Sequence, residues 1–151
     1  MSLQNLLSEY HALELDGHIS IDDVILKAIQ ESYELIDAIS KQDQPNIQKE
    51  ANDLLINILS VTAHLWNLNI WDLENIPVGK NANISDMMAI WSRDVSACRK
   101  RYSRDAFSED AYTENLKSLI SYLLLISGKS EMSNVVEDSI EKFRSRIAAY
   151  L

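Results

Sequence analysis

The chain has 151 residues, which is enough for one ordinary domain with a buried hydrophobic core. Its 46% hydrophobic content argues against disorder, and its net charge of −9 argues against DNA or RNA as a partner, because an acidic surface repels phosphates. With only 3 Gly and 2 Pro, the chain has few turn-forming residues for an all-β fold, so long helices are expected.

The composition also bears on the compartment in which the chain works. Cys98 has no second cysteine with which to form an internal disulfide, as suits a reducing cytosol. The first ten residues lack the pattern of a secretory signal, and the longest apolar run, 122–126, is too short to span a bilayer. We therefore expect a cytoplasmic protein that has no membrane partner.

Helical periodicity of apolar residues predicts about six helices in an all-α, antiparallel bundle. The segment Ser20-Ile-Asp-Asp23 resembles a capping box, Pro45 suits the first turn of a helix, and Gly128 is typical of a helix end. A stretch with Pro77 and Gly79, residues 67–83, is the longest irregular segment expected. The predicted helices span approximately residues 3–15, 20–40, 45–67, 85–104, 108–127 and 133 to almost 151.

The two halves of the chain are similar to each other. The third helix reads Glu50-Ala-Asn-Asp53-Leu-Leu, and it aligns with Glu114-Asn-Leu-Lys117-Ser-Leu of the fifth helix at an offset of 64 residues. This similarity predicts a duplicated helix pair within a single domain, 1–151. Chance alignment is the alternative, because all amphipathic helices share a period.

Two pairs of carboxylates mark the second and third helices. Glu31 and Glu34 are spaced i, i+3, as are Glu50 and Asp53, so each pair spans roughly 60° of its helix. Both pairs border the apolar stripe, and two helices joined by a short turn pack antiparallel, which brings the pairs together. Clustered carboxylates near a core repel one another, and a hard divalent cation removes that conflict. The alternative is a set of solvated surface acids, because charge networks without a function are common in acidic proteins.

The same residues carry a resemblance to a known superfamily. Glu31-Ser-Tyr-Glu34, followed by Glu50-Ala-Asn-Asp53, resembles the ExxE…ExxD signature of the all-α nucleoside triphosphate pyrophosphohydrolases. That superfamily includes MazG, the dimeric dUTPases and phosphoribosyl-ATP pyrophosphohydrolase. The segment Lys142-Phe-Arg-Ser-Arg146 near the end of the chain also looks like the Lys-Phe-x-x-Arg end of MazG domains.

The resemblance implies a reaction and a metal. Members of the superfamily cleave a nucleoside triphosphate between its α- and β-phosphates, and Glu31, Glu34, Glu50 and Asp53 would hold Mg²⁺, with Mn²⁺ as a substitute. Glu31 or Glu34 would also serve as the base. The metal-binding half would then be 20–83, and 84–151 would be a degenerate repeat. A homodimer is expected from the family, and a monomer completed by its own second half is the alternative.

Three further residues are candidates for contacts with the nucleotide substrate. Asn57 lies one turn beyond Asp53 and would bind the sugar or base, and Lys80, with Asn83 close by, would bind phosphate. The alternatives are a hydrogen bond to backbone or water for Asn57 and a solvated loop position for Lys80.

One departure from the family pattern opens a second reading of the function. The family usually has two adjacent glutamates where this chain has Gln30 and Glu31, and glutamine cannot accept a proton at neutral pH. An inactive nucleotide-binding or regulatory helical module is therefore an alternative to the enzyme. Phosphoribosyl-ATP pyrophosphohydrolase is a second alternative, and a purely structural bundle is a third.

Overall fold

A computed structural model describes residues 3–66, 76, 79, 83–99, 109–129 and 131–150, and this part of the chain is helical, with no strand. The all-α fold with about six helices is thus confirmed. None of the described helices combines the length and apolarity that a bilayer-spanning segment needs. The helices are α1 Leu3–Asp16, α2 Ile21–Ser40, α3 Gln44–Trp66, α4 Ile84–Arg99, α5 Glu109–Ser127 and α6 Met132–Tyr150.

Local sequence signals set the helix ends where they were expected. The hydroxyl of Ser20 accepts a hydrogen bond from the backbone N–H of Asp23 at 3.2 Å, and the Asp23 carboxylate accepts one from the backbone N–H of Ser20 at 2.9 Å. This reciprocal pair is the predicted capping box at the start of α2. Gly128 follows α5 with a φ of 72°, the left-handed conformation that glycine adopts at a helix end.

Helix α3 lies at the centre of the bundle. It packs against α2, α5, α1 and α6, and its most extensive contact is with α2. The turn between α2 and α3 has only three residues, 41–43, so the two helices run antiparallel. The apolar residues of α3 with a relative exposure of 1% or less are Ala51, Leu54, Leu55, Ile58, Leu59 and Val61.

The remaining helices complete the bundle around this pair. Helix α4 packs against α5 and α2, whereas α1 packs against α6 and α3. The pairs α2–α3 and α4–α5 are therefore neighbours, in an arrangement that suits the duplication suggested by the 64-residue offset, which stays a prediction. The loop expected at 67–83 falls almost entirely outside the described residues, as does the end of the fourth predicted helix, 100–104.

Candidate active site

The antiparallel packing of α2 on α3 brings the two carboxylate pairs together. Carboxylate oxygens from Glu31, Glu50 and Asp53 all lie within 4.8 Å of one another. Glu34, one turn beyond Glu31, is exposed at the edge of the same group and is close enough to hydrogen-bond to the carboxyls of Glu50 and Glu31. All four carboxylates expected at one site are thus neighbours, and we call this group the acidic cluster.

Burial makes the acidic cluster energetically unusual. Glu31 is only 4% exposed and Glu50 is 9% exposed, and when both groups are ionised their buried Oε2 atoms have no hydrogen-bond donor among the described residues. Two lysines lie nearby at long range for an ion pair, Lys27 at 3.6 Å from Glu31 and Lys49 at 3.8 Å from Glu50. Leaving buried carboxylate oxygens unsatisfied costs free energy, so something else must balance this site.

The pKa of Glu31 shows how the cluster balances its charge without a cation. Burial is the largest cause, followed by a hydrogen bond with Glu50 and by the negative charges of Asp53, Glu50 and Glu34, and together they raise the pKa of Glu31 to about 8. At neutral pH Glu31 therefore keeps a proton when no cation is present. A divalent cation among these oxygens would take over the role of that proton.

Glu34 has the opposite electrostatic character. Its pKa is lowered, chiefly by its hydrogen bond with Glu50, and also by its hydrogen bonds with Glu31 and Gln30. The side-chain amide of Gln30 donates to Oε1 of Glu34 at 3.2 Å. Glu34 is therefore ionised and accessible to water at neutral pH.

The donor set of the acidic cluster fits a hard divalent cation. Carboxylate oxygens are preferred ligands of Mg²⁺, which binds them at 2.0–2.1 Å, so two oxygens on one Mg²⁺ lie at most about 4.2 Å apart. The 4.8 Å span of Glu31, Glu50 and Asp53 is close to this limit and needs only a small side-chain movement. The unpartnered buried oxygens of Glu31 and Glu50 supply the driving force for that movement.

A cleft of about 80 Å³ opens directly beside the acidic cluster. Two of the cluster residues, Glu31 and Asp53, form part of its wall. Asn57 also lines it, and the Asn57 amide group donates to the backbone carbonyl of Asp53 at 2.9 Å, which leaves the side-chain oxygen and the second N–H of Asn57 available to a ligand. The other lining residues are Tyr10, Lys27, Ile56, Ser139, Lys142 and Phe143.

The two loop residues expected to contact substrate are placed differently. Lys80 lies outside the described residues. The side chain of Asn83 is exposed and caps α4, because its Oδ1 accepts hydrogen bonds from the backbone N–H groups of Ser85 at 3.0 Å and Asp86 at 3.2 Å. Asn83 therefore has a structural task, and its contact with substrate stays a prediction.

Helices α1 and α6 supply cleft residues that sequence reasoning did not include among the site residues. Tyr10 of α1 packs edge-to-face on Phe143 of α6, with ring centroids 5.7 Å apart, and Lys142 lies beside that pair. Periodicity places these residues on helix faces but does not say which helices meet, so the only signal for Lys142 and Phe143 was their resemblance to the Lys-Phe-x-x-Arg end of MazG domains. Lys27 was readable, because it lies four residues before Glu31 on the same helix face.

The second half of the chain carries no equivalent cluster among its described residues. The position aligned with Glu31 is Val95, which is equally buried at 3% exposed. The position aligned with Asp53 is Lys117, which pairs with Glu114 at 3.4 Å. An apolar side chain and a cation in these places leave the α4–α5 pair without a cation site.

Comparison with known proteins points to one family. Residues 20–76 match the model of the MazG nucleotide pyrophosphohydrolase domain, a segment that contains α2, α3 and the whole acidic cluster. No curated protein and no solved structure matches the chain. The resemblance seen in the carboxylate motifs is thus confirmed at the level of this match: residues 20–76 are similar to the MazG nucleotide pyrophosphohydrolase domain.

Proposed function

We propose that this protein is a Mg²⁺-dependent pyrophosphohydrolase that converts a nucleoside triphosphate and water into the nucleoside monophosphate and pyrophosphate. The observation that carries the proposal is the pair of buried, unpartnered oxygens of Glu31 and Glu50 beside Asp53, inside the segment that matches the MazG family. A helical bundle gains nothing in stability from such a group, so a bound cation and its substrate are the natural reason for it.

The residues of the acidic cluster would have two different roles, cation binding and activation of water. Glu31, Glu50 and Asp53 would hold Mg²⁺, whose positive charge would neutralise the phosphates and polarise the α-phosphate. Glu34 is left outside this set of three, is exposed and has a lowered pKa, which suits it to orient a water molecule for attack on the α-phosphorus. Glu31 is the alternative base, but its own raised pKa makes it a poorer acceptor before a cation binds.

The bond changes follow from this arrangement. The water oxygen bonds to the α-phosphorus, the α–β bridging P–O bond breaks, and its electron pair leaves with pyrophosphate. Glu34 accepts a hydrogen bond from the attacking water and takes its proton, which then passes to solvent. Asn57 offers its side-chain oxygen to a hydroxyl or amino group of the nucleoside from the neighbouring wall of the cleft.

Assembly and location complete the proposal. A homodimer is proposed from the family, and the large exposed side chains of Leu26 (67% exposed) and Tyr33 (69% exposed) on α2 support a subunit contact there. Sedimentation equilibrium distinguishes this dimer from a monomer completed by its own second half. The single Cys98 suits the cytoplasm, where nucleoside triphosphates are available.

Product analysis in ¹⁸O-labelled water tests the proposed reaction. The protein is incubated with Mg²⁺ and a panel of ribo- and deoxynucleoside triphosphates that includes dUTP and dCTP, with phosphoribosyl-ATP as a separate substrate. We expect a monophosphate carrying the label and unlabelled pyrophosphate, and we expect Asp53→Asn to lower the rate at least about 100-fold. Release of a diphosphate and inorganic phosphate, or a rate unchanged in Asp53→Asn, would contradict the proposal.

A second function is favoured by one residue. Gln30 stands where the family usually has a glutamate, so a nucleotide-binding module without turnover is the alternative. Nucleotide binding in the presence of Mg²⁺, with no product from any substrate of the panel, would support that alternative over the enzyme.

A further inference from the structure

The similarity between the two halves of the chain extends beyond their helix pairs. At the same offset of 64 residues, Ile76 aligns with Ile140 and Gly79 aligns with Phe143. Ile140 is a buried core residue of α6, and Ile76 is a partly buried residue that packs against the same core. Since Ile76 precedes α4 and is not part of a helix, a shared helical period does not account for this match.

Gly79 makes a close backbone contact with α5. Its N–H group donates a hydrogen bond to the carbonyl oxygen of Ser121 at 3.0 Å. A methyl group added to Gly79 would clash with Oγ of Ser121 and would lie only 3.0 Å from the Cβ and the carbonyl carbon of that residue. The left-handed conformation occurs at Gly128 and not at Gly79, so glycine is needed at position 79 for this close approach and not for its φ.

The residue that Gly79 contacts corresponds to a residue of the cleft. Ser121 is aligned with Asn57 at the offset of 64 residues. On α3, Asn57 lines the cleft together with Phe143 of α6, and Phe143 is the residue aligned with Gly79. Each half of the chain therefore places the same aligned position, from its C-terminal part, beside the same aligned position of the other half.

We infer that the halves 20–83 and 84–151 are packed with their C-terminal parts exchanged, and that the face of α5 around Ser121 has no nucleotide site because Gly79 occupies it. Reciprocal contacts of this kind are what an approximate two-fold axis produces. The two contacts differ in their result, because Phe143 borders an open cleft whereas Gly79 brings the backbone directly against a helix. The inference goes beyond the proposed function, since the exchange holds whether or not the chain hydrolyses a nucleotide.

A double-mutant cycle on Gly79 and Ser121 tests the contact on which the exchange rests. Thermal unfolding is measured for the wild type, for Gly79→Ala, for Ser121→Gly and for the double variant. We expect Gly79→Ala to lower the Tm by about 3–10 °C, because the added methyl group forces the backbone away from α5. This loss should be about halved or smaller in the Ser121→Gly background, which removes the Oγ and Cβ atoms that crowd the methyl group.

Gly17→Ala is the matched control for this cycle. A methyl group added to Gly17 would lie 3.5 Å or more from its nearest neighbours, which is ordinary van der Waals contact. We expect the Tm of Gly17→Ala to equal that of the wild type or to exceed it by up to about 3 °C. A Gly79→Ala protein as stable as Gly17→Ala, or losses at Gly79 and Ser121 that simply add, would overturn the inference.

The number of nucleotides bound per chain is a second readout. The wild type is titrated in a calorimeter with Mg²⁺ and an α,β-methylene deoxynucleoside triphosphate, which cannot be cleaved between its α- and β-phosphates. We expect one nucleotide per chain, and two per chain would overturn the inference. If no nucleotide binds, the proposed function fails, and the cycle on Gly79 and Ser121 still decides whether the halves are exchanged.

Discussion

Gln30 shows how a single side chain alters the charge balance of the acidic cluster. Its amide group donates to Glu34 at 3.2 Å, one turn along α2, and this bond helps to keep the pKa of Glu34 low. A glutamate at the same position would be an acceptor only and would add a like charge four residues from Glu34. The family glutamate would therefore favour cation binding at the expense of the cation-free protein.

A Gln30→Glu variant tests whether a glutamate at this position strengthens cation binding and destabilises the cation-free protein. Without divalent cations we expect the free energy of unfolding to fall by about 0.2–0.5 kcal/mol, the cost of a like-charge pair at this helical spacing. With Mg²⁺ we expect the variant to bind the cation more tightly than wild type, because the site gains a negative charge. Thermal unfolding in EDTA and in Mg²⁺ measures both effects, and Gln30→Ala serves as the control that removes the donor without adding charge. Equal stabilisation of all three proteins by Mg²⁺ would count against a cation near Gln30.

At the scale of single residues, the sequence predicted which residues form the acidic cluster but not how buried each one is or whether it carries a proton. The i, i+3 spacing and the short turn after α2 were enough to expect Glu31, Glu34, Glu50 and Asp53 in one place. The difference between a buried, protonated Glu31 and an exposed, ionised Glu34 depends on how deeply each residue sits against α3. Such burial depends on tertiary packing, which helical periodicity does not resolve.

Helix α1 is attached to the bundle by a buried carboxylate. Glu14 is 2% exposed and accepts a hydrogen bond from the hydroxyl of Ser60 on α3 at 2.6 Å. Burial raises the pKa of Glu14 to about 7, although the bond from Ser60 opposes part of that rise. The same helix contributes Tyr10 to the cleft, so the docking of α1 and the shape of the cleft are connected.

The raised pKa of Glu14 makes the stability of the α1 contact dependent on pH. Since the folded protein holds this proton more tightly than the unfolded chain, the stabilisation is complete below about pH 4.5 and is lost as pH rises towards 7. A Glu14→Gln variant removes this titration, and we expect it to be more stable than wild type at pH 8 by on the order of 2–3 kcal/mol, with a smaller difference at pH 5. Urea unfolding at the two pH values gives the difference.

Glu31 also titrates in this range, so only the comparison of variant with wild type isolates Glu14. As a control, Ser60→Ala removes the hydroxyl that opposes the rise in pKa and should move the loss of stability to higher pH. A Glu14→Gln variant with the same pH dependence as wild type would show that Glu14 is not the group responsible.

Individual helices were predicted more completely than their contacts. The capping box at Ser20, the end of α5 at Gly128 and the stripes of apolar residues all follow from short-range rules. The meeting of α1 with α6 around Tyr10 and Phe143 did not follow, because the two helices lie at opposite ends of the sequence. Short-range rules also did not predict that Asn83 caps α4; the sequence pattern was interpreted as a contact with substrate.

For the whole molecule, composition and the central position of α3 explain most of the architecture. Few glycines and prolines, together with 46% hydrophobic residues, favour long helices around a buried core. The 64-residue offset agrees with the neighbouring pairs α2–α3 and α4–α5, and Val95, at the position aligned with Glu31, is buried and apolar, as the predicted degenerate repeat would require. The net charge of −9 makes cations essential for any acidic site that handles phosphates.

The most direct test of this account is whether the acidic cluster binds a divalent cation. Calorimetric titration with Mg²⁺, or with Mn²⁺ as its substitute, compares the wild type with the double variant Glu50→Gln, Asp53→Asn. The control is Glu114→Gln, Asp110→Asn, which makes the same change of charge at exposed positions of α5. We expect saturable binding in wild type and control, weakened at least about 100-fold in the cluster variant. Equal binding by all three proteins, or none by the wild type, would contradict the account and leave the carboxylates as a structural cluster.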